Sequence, residues 1–132
     1  METKFIIVTL GTWLLFMFLA IGNAILREGV YSSFLDELRA HQLSTFTLMT
    51  LFIIGTYLVF CFTRINLTDQ QAFLMGSIWL ILTICFEFLA GHYAFGNSWD
   101  KLLADYNILK GRIWILIPLT TLIAPYLIKK LL

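Results

Sequence analysis

The chain has 132 residues, of which 60% are hydrophobic and only 13% are charged, and its mean hydropathy is +0.87. An average soluble domain is about 45–50% apolar and about 25% charged. Because a small domain has little interior relative to its surface, a soluble fold of this length could not bury so much apolar material. The composition therefore predicts a protein surrounded by lipid. The formal net charge of +1 provides no basic surface for nucleic acid.

Four apolar runs follow one another, at about residues 5–26, 43–62, 71–90 and 111–128. The first would rise about 33 Å as a helix, enough to cross a hydrocarbon core of about 30 Å. It is also longer than the core of a signal peptide, so we expect it to be retained. The sequence predicts an all-α integral membrane protein, a four-helix bundle in a single domain covering residues 1–132.

Capping motifs in the polar connections indicate where helices begin. Ser33 and Asp36 resemble a capping box, which predicts that the second helix begins at Phe34 with a polar first part. Thr68 and Gln71 form a second candidate box before the third apolar run.

The third connection, residues 92–110, is the longest and is predicted to contain a short interfacial helix. Ser98 is placed to cap it, and the apolar residues that follow share one helical face: Trp99, Leu102, Leu103 and Tyr106. Such a helix would lie at the membrane surface or close the mouth of the bundle. In the fourth run Pro118 cannot donate to the carbonyl of Trp114, so we expect a kink there.

Unusual polar residues concentrate at the end of the predicted bundle opposite the two termini. Glu87 lies about 7–8 Å along a helix before His92, and is therefore expected below the lipid headgroups. A charge within a span costs on the order of ~2.5–3.5 kcal/mol unless it is paired or wetted. Glu87 is accordingly predicted to pair with Arg27 or Arg112. The candidate site comprises Asn23, Arg27, Glu28, His41, Gln42, Glu87, His92, Asp105, Tyr106 and Arg112.

These polar groups leave several chemical roles open. They could form a binding pocket, or they could only fix the order of the helices. His41, His92 and Glu87 carry atoms that bind metals, but no tight ligand spacing joins them, so we expect neither a metal nor a cofactor. Cys61 and Cys85 lie within apolar runs and are expected to be small buried hydrophobes. No catalytic residue can be assigned.

Several short stretches carry a resemblance to a known group of proteins: Gly22–Glu28, His41–Ser44, Phe86–Trp99, Leu102–Asn107 and Gly111–Trp114. Across nearly the whole chain the pattern resembles small, uncharacterised bacterial membrane proteins with four spans. The resemblance implies a multi-pass protein of the bacterial inner membrane and implies no activity. The positive-inside rule does not decide the orientation, since four basic residues lie at the terminal side and five at the other. The pair Lys129 and Lys130 favours cytoplasmic termini.

The leading functional prediction is a non-enzymatic membrane protein that binds a small ligand, a lipid headgroup or a partner subunit in its polar pocket. Its partners would be the lipid bilayer and a second subunit, which could be another copy of the chain. The alternative is a small membrane enzyme or a metal or haem redox protein that uses Glu87 and the histidines. A transporter protomer is disfavoured, because one half of each predicted span lacks polar residues.

Overall fold

The computed structural model describes residues 3–132, and these residues fold into helices without a strand among them. The chain forms α1 (Thr3–Gly29), α2 (Glu37–Thr63), α3 (Asp69–Leu89), the short α4 (Trp99–Ala104) and α5 (Leu116–Leu131). A 3₁₀ turn (Tyr31–Ser33) follows α1, a π-helical turn (Ala90–Ala94) extends α3, and a second 3₁₀ turn (Ile108–Lys110) follows α4. The prediction of an all-α protein is confirmed for this part of the chain.

Three helical segments within residues 3–132 are long and apolar enough to cross a membrane: Thr3–Ser33, Glu37–Thr63 and Asp69–Ala94. They include the first three predicted spans, so the prediction of a membrane protein is supported. The fourth long helix, α5, has 16 residues and rises only about 24 Å. A fourth crossing is therefore not established by helix length.

The fourth helix begins later than the predicted span, which started at residue 111. Pro118 lies in the first turn of α5, where a missing N–H removes no bond within the helix. The residues before Leu116 form no helix for Pro118 to bend, so the predicted kink is wrong. The carbonyl of Trp114, expected to be left free by Pro118, accepts a hydrogen bond from the amide of Ile117 (2.9 Å).

The beginnings of α2 and α3 are both set by side-chain caps. Asp36, not Ser33, caps α2 by accepting from the amide of Arg39 (2.8 Å), so the predicted start at residue 34 is wrong. The hydroxyl of Ser33 instead donates to a carbonyl of the preceding turn. The capping box of α3 is confirmed: the amides of Thr68 and Gln71 each donate to the other's side chain, at 3.0 and 3.2 Å.

The four long helices pack in the cyclic order α1, α2, α5, α3. Helices α2 and α3 therefore lie diagonally, although only a short turn connects them. The core between α1, α2 and α3 is aromatic. The ring of Phe16 lies 4.3 Å from that of Phe52 and 4.9 Å from that of Trp79, and all three side chains are fully buried. One large side chain from each of α1, α2 and α3 thus meets at the centre.

Helices α3 and α5 approach each other most closely at Gly76. A methyl group at this position would overlap the carbonyl oxygen of Leu122 and lie 2.8 Å from its carbonyl carbon. In lipid, where helices associate through packing, small residues allow such close approach of two backbones. Gly76 therefore permits the tight contact between α3 and α5.

The outer surface of the helices is apolar. Phe18 and Phe62 expose 74% and 85% of their surface, as expected for side chains that face hydrocarbon. Cys61 and Cys85 are free and exposed, so the expectation that they are buried is wrong. In a membrane protein the lipid-facing surface is as apolar as the interior. An apolar run in the sequence therefore does not show which of its residues are buried and which face lipid.

Candidate functional site

Helices α1 and α3 touch in one half of the molecule and diverge in the other. The indole N–H of Trp79 donates to the carbonyl of Thr9 (2.8 Å), and the indole N–H of Trp13 donates to the hydroxyl of Thr83 (3.3 Å). Beyond these contacts, toward the C-terminal ends of both helices, lies a cleft of about 720 Å³. Its size falls within the range of about 300–1,000 Å³ that is typical of small-molecule sites.

The polarity of the cleft changes along its length. Its inner end is lined by apolar side chains from four helices, among them Met17, Leu48, Phe52, Phe86 and Ile117. Its mouth is lined by the charged and polar side chains Arg27, Glu28, His41, Glu87, Asn97, Lys101, Asp105 and Tyr106. An apolar interior with a few polar groups at one end is the usual form of a ligand site.

The connection between α3 and α5, residues 95–115, covers the mouth of the cleft. Ser98 caps α4 by accepting from the amide of Lys101 (3.1 Å), as predicted. Leu102 of α4 packs against Gly91 in the π-helical turn, where an added methyl group would lie 2.7 Å from the Leu102 side chain. The absence of a side chain at Gly91 thus lets the connection fold back onto α3.

Glu87 holds this connection in place. The hydroxyl of Tyr106 donates to Oε2 of Glu87, and the indole N–H of Trp114 donates to Oε1 (2.9 Å). The predicted pairing of Glu87 with an arginine is therefore wrong. Arg112 instead donates to both carboxylate oxygens of Glu37, at 2.8 and 2.5 Å, which occupies one edge of its guanidinium.

Arg27 reaches the mouth of the cleft from the last turn of α1. Its Nε lies 3.5 Å from the exposed carboxylate of Glu28, and its NH1 lies 3.4 Å from the hydroxyl of Ser44. Its guanidinium carbon is 6.0 Å from the centre of the Trp114 ring. These contacts are long, and a guanidinium has five N–H donors, so Arg27 retains hydrogen-bonding capacity toward the cleft.

His41 and Asp105 face each other across the mouth. Nε2 of His41 lies 4.0 Å from Oδ1 of Asp105, which is longer than a hydrogen bond. Nδ1 of the buried His41 has no partner among residues 3–132. Burial raises the pKa of the Asp105 carboxyl above its usual range, and the nearby Arg112 and Lys101 offset only part of this effect. Burial and the neighbouring Glu87 also raise the pKa of Tyr106, which keeps its proton for donation.

The four remaining predicted site residues do not line the cleft but hold its walls together. Asn23 donates to the carbonyl of Ser44 (3.0 Å) and so joins α1 to α2. Gln42 donates to the carbonyl of Gly111 (2.8 Å) and joins α2 to the connection. His92 donates to the carbonyl of Asn97 (2.8 Å) and stacks on Trp99 with ring centres 3.9 Å apart. Arg112 joins the connection to α2, as described above.

The structure thus brings six of the ten predicted residues together: Arg27, Glu28, His41, Glu87, Asp105 and Tyr106. Sequence reasoning missed Asn97, Lys101 and Trp114. Nothing in the spacing of Lys101 indicated that its side chain would lie at the mouth of the cleft. Within residues 3–132, no three His, Cys, Asp or Glu side chains are grouped so that they could hold a metal ion.

Comparison of the chain with protein-family models, with curated proteins and with solved structures gave no match.

Proposed function

We propose that this chain is a membrane protein with four crossings whose cleft between α1 and α3 binds a small ligand or a lipid headgroup without reacting with it. The observation that supports this function most directly is the gradation of the cleft, from apolar at its inner end to charged at its mouth. The charged groups whose pairing there is incomplete, Arg27, Lys101 and Asp105, could hold a polar group of a ligand.

The packing of α5 supports a fourth crossing in spite of the helix's short length. Helix α5 lies against both α2 and α3, which are long enough to span the membrane. Ile117, Ala124 and Ile128 are buried at or near 0–1% exposure along its length. Packing of one face of α5 against two such helices supports placing it in the bilayer beside them.

We place the protein in the bacterial inner membrane with both termini in the cytoplasm. The pair Lys129 and Lys130 supports this orientation. Both ends of the bundle carry paired basic residues. At the terminal end, Asp69 lies 3.0 Å from the amine of Lys129 and 3.6 Å from that of Lys130. At the other end, Glu37 pairs with Arg112.

Cysteine accessibility tests the number of crossings. In a background with Cys61→Ser and Cys85→Ser, single cysteines are introduced at Thr3, Asn97 and Leu132 and treated with a membrane-impermeant maleimide in intact cells. We expect labelling at residue 97 without permeabilisation, and at residues 3 and 132 only after it. Labelling of residue 132 from the same side as residue 97 would contradict the fourth crossing, and labelling of residues 3 and 97 from the same side would contradict the first three.

Filling the cleft tests the binding function. Ala24 lines the cleft on α1, and the indole of Ala24→Trp would occupy part of its volume. Small molecules retained by the purified native protein and by this variant are compared by mass spectrometry. Ala104→Trp, at an exposed position outside the cleft lining, is the matched control. We expect a molecule that the native protein and the control retain and that Ala24→Trp loses; identical profiles would refute the proposal.

A further inference from the structure

We propose that the ligand is a phospholipid-like amphiphile, with an anionic headgroup that also donates hydrogen bonds, which enters the cleft sideways from one leaflet between α1 and α3. This inference rests on the proposed function and adds the chemical class of the ligand, its point of entry and the roles of two residues. Three independent features support it: the length of the cleft, its opening toward lipid, and the pairing state of the charged groups at its mouth.

The cleft has the length of one leaflet. On α1 it is lined from Met17 to Gly29, a rise of about 18 Å, which is a little more than half of a hydrocarbon core of about 30 Å. The lining residues between these ends recur at helical spacing on one face of α1: Ala20, Ile21, Ala24 and Ile25. A lipid with its headgroup at the mouth would therefore have its acyl chain along this face.

We infer that the cleft, whose mouth is covered by the connection, opens to the side between α1 and α3. Ile21 and Ile25 line it and yet expose 41% and 68% of their surface. The tryptophan contacts that close the space between α1 and α3 lie at the far end, around Thr9 and Thr83. A molecule already dissolved in the bilayer could reach the cleft without passing through water.

Arg27 is placed to bind the anionic part of the headgroup. It lies at the C-terminal end of α1, where the helix dipole stabilises a cation. Of the basic side chains near the mouth, Arg112 is held by both oxygens of Glu37, and Lys101 donates to the side chain of Asn97 (3.1 Å). Arg27 has only a long contact with the exposed Glu28 and another with Ser44. A phosphate could therefore accept two N–H groups from Arg27.

Asp105 and His41 favour a headgroup that donates hydrogen bonds. Asp105 lines the mouth, its side chain is 25% exposed, and Nε2 of His41 lies 4.0 Å from its carboxylate. A carboxylate in this position needs a donor, and a headgroup amine or hydroxyl would provide one. An anion alone would satisfy Arg27 and leave Asp105 facing a like charge.

A panel of four lipids with the same acyl chains separates these requirements on the unmodified protein. Purified protein in detergent is mixed with phosphatidylglycerol, phosphatidylethanolamine, phosphatidylcholine or diacylglycerol, and bound lipid is measured by native mass spectrometry. The first two carry an anion and a donor, the third lacks a donor, and the fourth lacks the anion. We expect phosphatidylglycerol and phosphatidylethanolamine to be retained most strongly and diacylglycerol least. The ratio of bound phosphatidylglycerol to bound phosphatidylethanolamine shows whether a hydroxyl or an amine donor is preferred. Equal retention of all four lipids would overturn the proposal.

Substitutions then assign the roles of the residues. Arg27→Gln should weaken retention of phosphatidylglycerol about tenfold or more, the usual effect of losing a charge-assisted hydrogen bond. Arg39→Gln, with the same loss of charge at an exposed residue of α2, should leave retention unchanged. Asp105→Ala should reduce phosphatidylglycerol to the level of phosphatidylcholine. Equal losses with Arg27→Gln and Arg39→Gln would show that the headgroup does not bind at Arg27.

The outcome also distinguishes the two proposals. If Ala24→Trp removes a water-soluble molecule that none of the four lipids displaces, the cleft binds a ligand but not a lipid, and only the present inference is wrong. If Ala24→Trp changes the retention of nothing, both proposals are wrong.

Discussion

Replacing Glu87 by alanine tests how the mouth of the cleft is held together. Glu87 accepts one hydrogen bond from Tyr106 and one from Trp114, and both donors belong to the connection between α3 and α5. The substitution would leave the two donors without an acceptor at partly buried positions and release the connection from α3. We therefore expect a loss of stability, together with greater exposure of the connection to protease.

The expected size of this loss follows from the two bonds. Side-chain hydrogen bonds between membrane helices contribute on average about 0.6 kcal/mol each and about 1.7 kcal/mol at most. A buried donor left unsatisfied adds about 1–3 kcal/mol. Because Tyr106 and Trp114 are only partly buried, we take the lower values, and expect Glu87→Ala to lower the free energy of unfolding by about 2–4 kcal/mol. Tyr106→Phe removes one bond and should cost about 1–2 kcal/mol by the same reasoning.

The free energy of unfolding is measured by denaturant titration in mixed micelles, using tryptophan fluorescence. A double-mutant cycle between Glu87→Ala and Tyr106→Phe should give a coupling energy of about 1 kcal/mol, since the residues share one bond. The cycle between Glu87→Ala and Arg27→Gln should be additive. Glu28→Ala, at a carboxylate that is 74% exposed, is the control and should change stability little. Strong coupling to Arg27 with none to Tyr106 would refute the assignment of these contacts.

Three further changes have defined outcomes. Gly76→Ala should lower the free energy of unfolding by about 1–3 kcal/mol through its clash with Leu122, whereas Gly11→Ala, with open space around it, should not; equal melting temperatures would contradict the close crossing. Thr68→Ala should cost about 1 kcal/mol by removing the capping box of α3, and a melting temperature equal to the native one would show that the cap contributes nothing. Burial raises the pKa of Asp105 in the folded state, so the native protein loses stability as the pH rises from the ordinary pKa of the carboxyl toward its raised pKa. Asp105→Asn should therefore raise the melting temperature at pH 7 and lose this advantage below about pH 4. A gain in melting temperature that does not depend on pH would contradict the assignment.

The sequence predicted the apolar helices well, because lipid imposes a simple length and composition on any helix that crosses it. It located the apolar parts of α1, α2 and α3 and the caps at Thr68 and Ser98 correctly, but not the start of α2. It failed at α5, where the apolar run continues through residues 111–115 although Pro118 favours a helix start close to it. Hydropathy does not register that preference.

The candidate site was predicted in outline but not in its contacts. The concentration of polar residues at one end located the mouth of the cleft. The partner of Glu87 could not be predicted, because rules for buried charge point to an arginine, whereas Tyr106 and Trp114 came within reach only through the fold of the connection. The apolar part of the cleft was missed altogether, since Ala20, Ala24 and Met17 cannot be told from ordinary packing residues by type or spacing.

The diagonal placement of α2 and α3 has a consequence for biogenesis. These helices are consecutive in the chain, yet their Cα atoms come within 8 Å of each other nowhere in residues 3–132, and both pack against α5 instead. As the chain leaves the ribosome, α1 and α2 can pair at once, but the side of α3 that carries Gly76 has no partner until α5 has been synthesised. If α5 crosses the bilayer as proposed, the helices do not assemble as successive hairpins of sequence neighbours, because α5 packs between α2 and α3 only after both have been synthesised.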